Sequence, residues 1–196
     1  MTTLAAKREK AAQEADWVES VAAGDESALG RLYDRYSGLL VGLSRRILGS
    51  QEEAEDVLQE VFVQVWNQAK RYDRSRSSVS TWLVLITRSR SIDRLRTKQV
   101  IARTAQSAYE EDPKLDTSPE GMGNVLDRER RLRLRDELSK LPDEQRQIIE
   151  LSFFKGMTQT EISSSTGVPL GTVKTRTLLA MKKLRKALKA EIEELL

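Results

Sequence analysis

The 196-residue chain contains no cysteine and no histidine. Together these absences exclude disulfides, cysteine–histidine zinc sites, thiol nucleophiles and imidazole acid–base chemistry, and with them most enzyme hypotheses. Neither a G-x-x-x-x-G-K-[ST] phosphate loop nor a G-x-S-x-G nucleophile elbow occurs. The carboxylates fall in helical charge runs rather than in apolar surroundings. No stretch approaches the roughly 18 apolar residues of a membrane span, and the amino terminus, MTTLAAKREKAAQEADW, is charged and lacks the apolar core of a signal peptide. The expectation is a cytoplasmic protein with no catalytic residue, no metal and no cofactor.

What is present is charge. Hydrophobic residues at 39% suffice for globular cores, while 32% charged and 5% aromatic residues suggest small helical units with strongly solvated faces. With 33 basic and 30 acidic side chains the formal net charge is only +3. A nucleic-acid surface must therefore come from how charge is distributed, not from its total. The length allows one domain or two small ones.

Apolar residues recur at steps of three and four through Leu29, Leu32, Tyr33, Tyr36, Leu40, Leu43 and Ile47, one face of a helix that ends at Gly49. SQEE (Ser50–Glu53) fits a capping box, and Ala54, Val57, Leu58, Val61, Phe62, Val65 and Trp66 continue a second amphipathic helix. After the polar run RYDRSRSS a third helix spans about Val79 to Val100, with Trp82, Leu85, Ile86, Ile92 and Leu95 as its inward stripe. Between Thr97 and Val125 the pattern lapses into a stretch with two prolines and two glycines, which reads as a linker. Helices resume at about Leu126 to Lys140 and again near Pro142. The fold class expected is all-α, two small helical domains joined by a flexible linker.

Three regions could carry function. The first is GMTQTEISSSTGVPLGTVKTR, Gly156–Arg176, which reads as a helix-turn-helix. Thr158 and Glu161 fit a capping box, Gly167 supplies the turn, and Val173, Thr177, Ala180, Met181, Leu184 and Leu188 keep core spacing on the second helix. That leaves Lys174, Thr175, Leu178 and Lys182 on another face, with Arg176 on a flank, near the helix amino terminus where such motifs touch base edges. Lys174–Lys189 holds seven basic residues and no acidic one, which suits phosphates. The plainer alternative is a solvated basic helix end favoured by the helix dipole.

The second region, EEAEDVLQEVF (Glu52–Phe62), has five acidic residues and no basic one. It is either a solvated face that meets the positive helix end or a protein-docking surface, because Asp56, Gln59, Glu60 and Val63 share one side of the helix. The third, RYDRSRSSVSTWLVLITRSRSIDRLRTK (Arg71–Lys98), sets Arg88, Arg90, Arg94, Arg96 and Lys98 behind Tyr72, Trp82 and a serine-rich loop. Aromatics beside basic residues suit single-stranded nucleic acid. Trp82 fits the core better than a stacking platform. Tyr72 is the better stacking candidate, and Ser75, Ser77 and Ser78 could bond a base edge.

In this order, and with this linker, AEDVLQEVFVQVW, STWLVLITRSRSIDRLR and LPDEQRQIIELSFFKGMTQTEISSSTGVPLGTVKTR resemble an extracytoplasmic-function (ECF) RNA polymerase sigma factor. The resemblance implies a non-catalytic specificity subunit with four parts: an N-terminal extension (1–24), a region 2 bundle (25–100), a linker (101–125) and a region 4 helix-turn-helix domain (126–196). It implies that Asp56, Gln59, Glu60 and Val63 dock on the clamp helices of the polymerase largest subunit. Tyr72, Ser75, Ser77, Ser78, Arg88, Ser89, Arg94 and Arg96 would hold the −10 element as a single strand with one base flipped out. Lys174, Thr175, Arg176, Leu178 and Lys182 would read the −35 duplex, with the polymerase flap nearby. It also implies an anti-sigma factor as a partner, and no insertion into a membrane. Ser77, Val79 and Ser89 stand where many members have glycine, an aromatic and asparagine, so no particular flipped base is implied. The competing reading is a helix-turn-helix regulator whose amino-terminal bundle binds a ligand or dimerises.

Overall fold

Caps and turns cut the chain into helices. In the computed structural model, which describes residues 2–105 and 125–188, these are α1 (Thr2–Ala22), α2 (Glu26–Leu48), α3 (Gln51–Gln68), α4 (Val79–Ala105), α5 (Val125–Ser139), α6 (Asp143–Phe153), α7 (Gln159–Thr166) and α8 (Leu170–Ala187). A 3-10 turn, Ala69–Arg71, follows α3. No strand occurs among the described residues. The helices fall into two compact units, α1–α4 and α5–α8.

Local chemistry explains the boundaries. Asp25 caps α2 by accepting from the backbone N–H groups of Ser27 and Ala28 at 2.8 and 3.2 Å. Gly49, at φ 73°, closes the same helix in the left-handed conformation that glycine adopts without a Cβ clash. Ser50 Oγ then accepts from the Glu53 N–H at 3.3 Å. The expected capping box is only half used, since Glu53 sends its carboxylate to Lys98 Nζ at 2.8 Å. The box at Thr158 is complete: Thr158 Oγ1 accepts from Glu161 N–H at 3.2 Å, and Thr158 N–H donates to Glu161 Oε2 at 2.6 Å.

The first unit is built on one continuous core. Leu32, Leu40, Val57, Val61, Val65 and Leu83 are fully buried there, and burying each aliphatic side chain contributes about 1.5–3 kcal/mol. Residues 1–24, expected as an N-terminal extension, include α1, whose Ala15, Val18 and Val21 join this core. Glu14 of α1 lies buried against α2, accepting from Tyr36 Oη at 2.6 Å and from Arg35 Nε at 3.2 Å. The inward stripe of α4 differs from the expected one. Val79, Leu83, Ile86 and Ile92 are buried, whereas Leu85 is 58% exposed and Trp82 is half-buried. Apolar residues occupy more than one side of α4, so periodicity alone could not select the buried side.

Among the described residues, the second unit has two small clusters instead: Leu141, Ala180 and Leu184, and Ile148, Ile162 and Val173. Met181, expected inward on α8, is 50% exposed, while Val173, Ala180 and Leu184 carry the packing. Part of the expected linker, from 101 to 105, continues α4, and 106–124 lies outside the described residues, as does 189–196.

Candidate functional sites

On α8 the side chains separate by angle. At about 100° per residue, Lys174, Thr175, Leu178 and Lys182 fall within a sector of about 100°, away from Val173, Ala180 and Leu184. All four are exposed, Leu178 at 68%. Thr175 Oγ1 donates to the Gly171 carbonyl at 2.9 Å, so the hydroxyl offers its lone pairs and methyl outward rather than its proton. Arg176 behaves differently. It is half-buried and pairs with Glu144 of α6 at 2.8 Å, which ties the start of α8 to α6. Of the five expected DNA-reading residues the fold thus gathers four on one face and assigns the fifth to an internal ion pair. Met181 adds an exposed apolar side chain beside Leu178.

The loop before α4 is more committed than its serines suggested. Tyr72 Oη donates to the Ser77 carbonyl at 3.0 Å, and its ring packs on Trp82 with centroids 5.2 Å apart. Burial pushes the Tyr72 hydroxyl above its ordinary pKa, which keeps it the neutral donor this bond needs. Asp73 accepts from both the N–H and the Oγ of Ser75, at 2.8 and 2.6 Å. The side-chain bond, then the backbone bond, holds its carboxyl below the ordinary range. Ser78 Oγ accepts from Thr81 N–H at 3.2 Å at the start of α4. Arg74 leans towards Asp16 and Glu19 of α1, at 3.6 and 3.7 Å. Tyr72, Ser75 and Ser78 therefore shape the loop, and the half-buried Tyr72 ring already packs on Trp82.

Along α4 the expected single-strand residues divide between two sides. Ser89 and Arg96 are two turns apart and share a side, whereas Arg94 lies about 140–160° round the helix. Ser89 and Arg96 are exposed and Arg88 is half-buried. Arg94 faces α3, where its Nη1 meets Asp56 Oδ2 at 3.2 Å and its Nη2 meets Glu60 Oε1 at 3.3 Å. Nη1 also donates to the Glu53 carbonyl at 3.2 Å. One turn to either side, Arg90 Nε donates to Gln64 Oε1 at 2.8 Å and Lys98 pairs with Glu53.

The docking candidates lie on the same seam. Asp56, Gln59, Glu60 and Val63 are exposed and line a shallow groove of about 590 Å³ that Arg90 and Arg94 close on the α4 side. Val63 is 62% exposed. An apolar side chain in a groove that also holds the Asp56 and Glu60 carboxylates suits a partner that brings basic side chains and a small apolar contact. Sequence reading found both sets of residues but not that Arg94 belongs to the acidic one. A separation of 38 and 34 residues hides those pairs from any local pattern.

Among the described residues no group of three or more acidic side chains could hold a metal ion, and no helix is long and apolar enough to cross a membrane. Residues 32–100 match the Sigma-70 region 2 family and residues 131–184 match the Sigma-70, region 4 family. The chain is 33% identical over 178 residues to the ECF RNA polymerase sigma factor RpoE of Cereibacter sphaeroides, covering 87% of this chain and 93% of that one. It is 33% identical over 174 residues to the ECF RNA polymerase sigma factor SigK of Mycolicibacterium vanbaalenii, covering 87% of each. Among solved structures, Rhodobacter sphaeroides SigE in complex with the anti-sigma ChrR is 31% identical, with 88% of this chain and 98% of that chain covered and a TM-score of 0.42.

Proposed function

This chain belongs to the ECF family of RNA polymerase sigma factors, and on that premise we propose how its surfaces share the work of promoter recognition and initiation. The first unit serves as region 2. Its α3 face, Asp56, Gln59, Glu60 and Val63, docks on core polymerase. On α4 Ser89 and Arg96, which are exposed, and Arg88, which is half-buried, together with the loop shaped by Tyr72, Ser75, Ser77 and Ser78, receive the −10 strand. Extruding a base there costs a few kcal/mol of stacking, which the loop contacts must offset.

The second unit serves as region 4, and Lys174, Thr175, Leu178 and Lys182 enter the −35 major groove. Lysine reaches guanine or phosphate, and Leu178 meets a thymine methyl. The stretch 101–125 joins the two. The subunit is non-catalytic and acts in the cytoplasm with polymerase. A basic surface on the polymerase clamp helices, the flap and an anti-sigma factor are its protein partners; the SigE relative was solved with ChrR bound. The observation that carries this division is that the two family matches, 32–100 and 131–184, fall on separate units, each with its own exposed charged face.

The test adds the purified chain to core RNA polymerase with a promoter library and sequences the transcripts. A stable complex and starts downstream of an asymmetric two-part element are expected. No complex and no initiation would overturn the division, and so would tight binding to a symmetric duplex operator without polymerase, which a helix-turn-helix regulator would show.

A further inference from the structure

Arg94 sits where the resemblance implies a DNA contact, yet its guanidinium bridges two carboxylates assigned to polymerase docking. We infer that Arg94 is an internal counter-ion of the docking face, competing with the partner's basic side chains for Asp56 and Glu60 and so setting docking affinity and its salt dependence. The inference rests on the docking role proposed for α3.

Three features support it. The pairing geometry is that of a partner's cation, because one planar fork spans two acidic groups that lie one turn apart on α3. Asp56 and Glu60 remain 55% and 46% exposed in the pair, so a second cation can approach from solvent. The pair is also exchangeable, since each exposed ion pair holds its partner by no more than a factor of about five. Arg94 is 30% exposed, anchored further by the Glu53 carbonyl, and turned away from Ser89 and Arg96. A side chain in that position lowers the negative potential over the groove before any partner arrives. Lys98 does the same at Glu53. An incoming arginine must therefore displace or share Arg94, which selects for a partner with several basic groups in register over one with a single charge.

The experiment measures equilibrium binding of the full chain to core RNA polymerase across a salt series, for the native protein, Arg94→Gln, Arg94→Met and the double variant Asp56→Asn/Glu60→Gln. Circular dichroism melts accompany each. Both Arg94 variants are expected to bind core about two- to tenfold more tightly at low salt, with the gain shrinking as salt screens the exposed carboxylates. Arg94→Met retains the apolar stem, so the two variants together separate lost charge from lost packing. Unchanged or weaker core binding by both variants, at native melting temperatures, would overturn the inference. A loss confined to promoter opening by the assembled holoenzyme, with core affinity unchanged, would also overturn it and make Arg94 a DNA contact. If Asp56→Asn/Glu60→Gln leaves core binding intact, the docking assignment itself fails. If that double variant weakens docking while the Arg94 variants do not strengthen it, only the competition fails.

Discussion

The two units handle positive charge in opposite ways. In the first, the basic side chains of α4 that face α3 are spent on its carboxylates and amides: Arg94 on Asp56 and Glu60, Lys98 on Glu53, Arg90 on Gln64. In the second, Lys174 and Lys182 stand exposed beside Leu178, and Arg176, which pairs with Glu144, lies off that face. A run of basic residues in sequence is therefore not one surface. Its members divide according to what the fold places opposite them, and only the exposed part can release counterions from DNA.

The cores differ in the same direction. Among the described residues, one continuous cluster lies in the first unit, whereas two clusters, each with three buried residues, lie in the second. Ile162→Ala should therefore have the largest effect of any change considered. The substitution costs about 2–5 kcal/mol, and hydrogen exchange should show α5–α8 unprotected while α1–α4 stays native. Retained protection in α7 and α8 would erase the contrast between the cores.

Next in size is Tyr36→Phe, which removes the hydroxyl from buried Glu14 and should lower the stability of the first unit by about 1.5–3 kcal/mol in chemical denaturation. Burial first, and then the bond to Glu14, pushes the Tyr36 hydroxyl far above its ordinary pKa. A raised folded pKa means the contribution is fully present below the unfolded value of about 10 and is lost as pH rises beyond it. Native protein should therefore lose stability above about pH 10 more steeply than Tyr36→Phe. Parallel pH curves would show that Tyr36 does not carry the loss.

Thr158→Ala opens the capping box of α7 and should cost about 0.5–2 kcal/mol, confined to the second unit. The smallest effect is expected from Arg176→Gln. Breaking its pair with Glu144 should cost about 0.2–1 kcal/mol and leave −35 affinity within a few-fold of native. A loss of DNA binding as large as that of Lys174→Ala would return Arg176 to the reading face.

Much of this was legible in the sequence because it is local. The stripe through Leu32, Tyr36 and Leu40, the stop at Gly49, the box at Thr158 and the turn at Gly167 each depend on neighbours within a few residues. Leu85 and Met181 continue an apolar spacing yet face solvent, because which side is buried is decided by the helices packed against it. The core residues of α1, Ala15, Val18 and Val21, are small and sit among charges, so no apolar stripe marks them in the sequence. The contacts of Arg94 and Arg176 are hidden from the sequence for a further reason: each pairs with a carboxylate that only the fold brings near.

The central claim is that the docking face of α3 and the reading face of α8 act separately within one promoter-recognising subunit. One paired measurement tests it most directly: core RNA polymerase binding and −35 duplex recognition by holoenzyme, for Asp56→Asn/Glu60→Gln and for Lys174→Ala. The double variant should lose core binding, whereas Lys174→Ala should keep core binding, weaken −35 recognition by about 1–3 kcal/mol or lower its salt slope by about one. Equal loss of core binding in both would contradict the account.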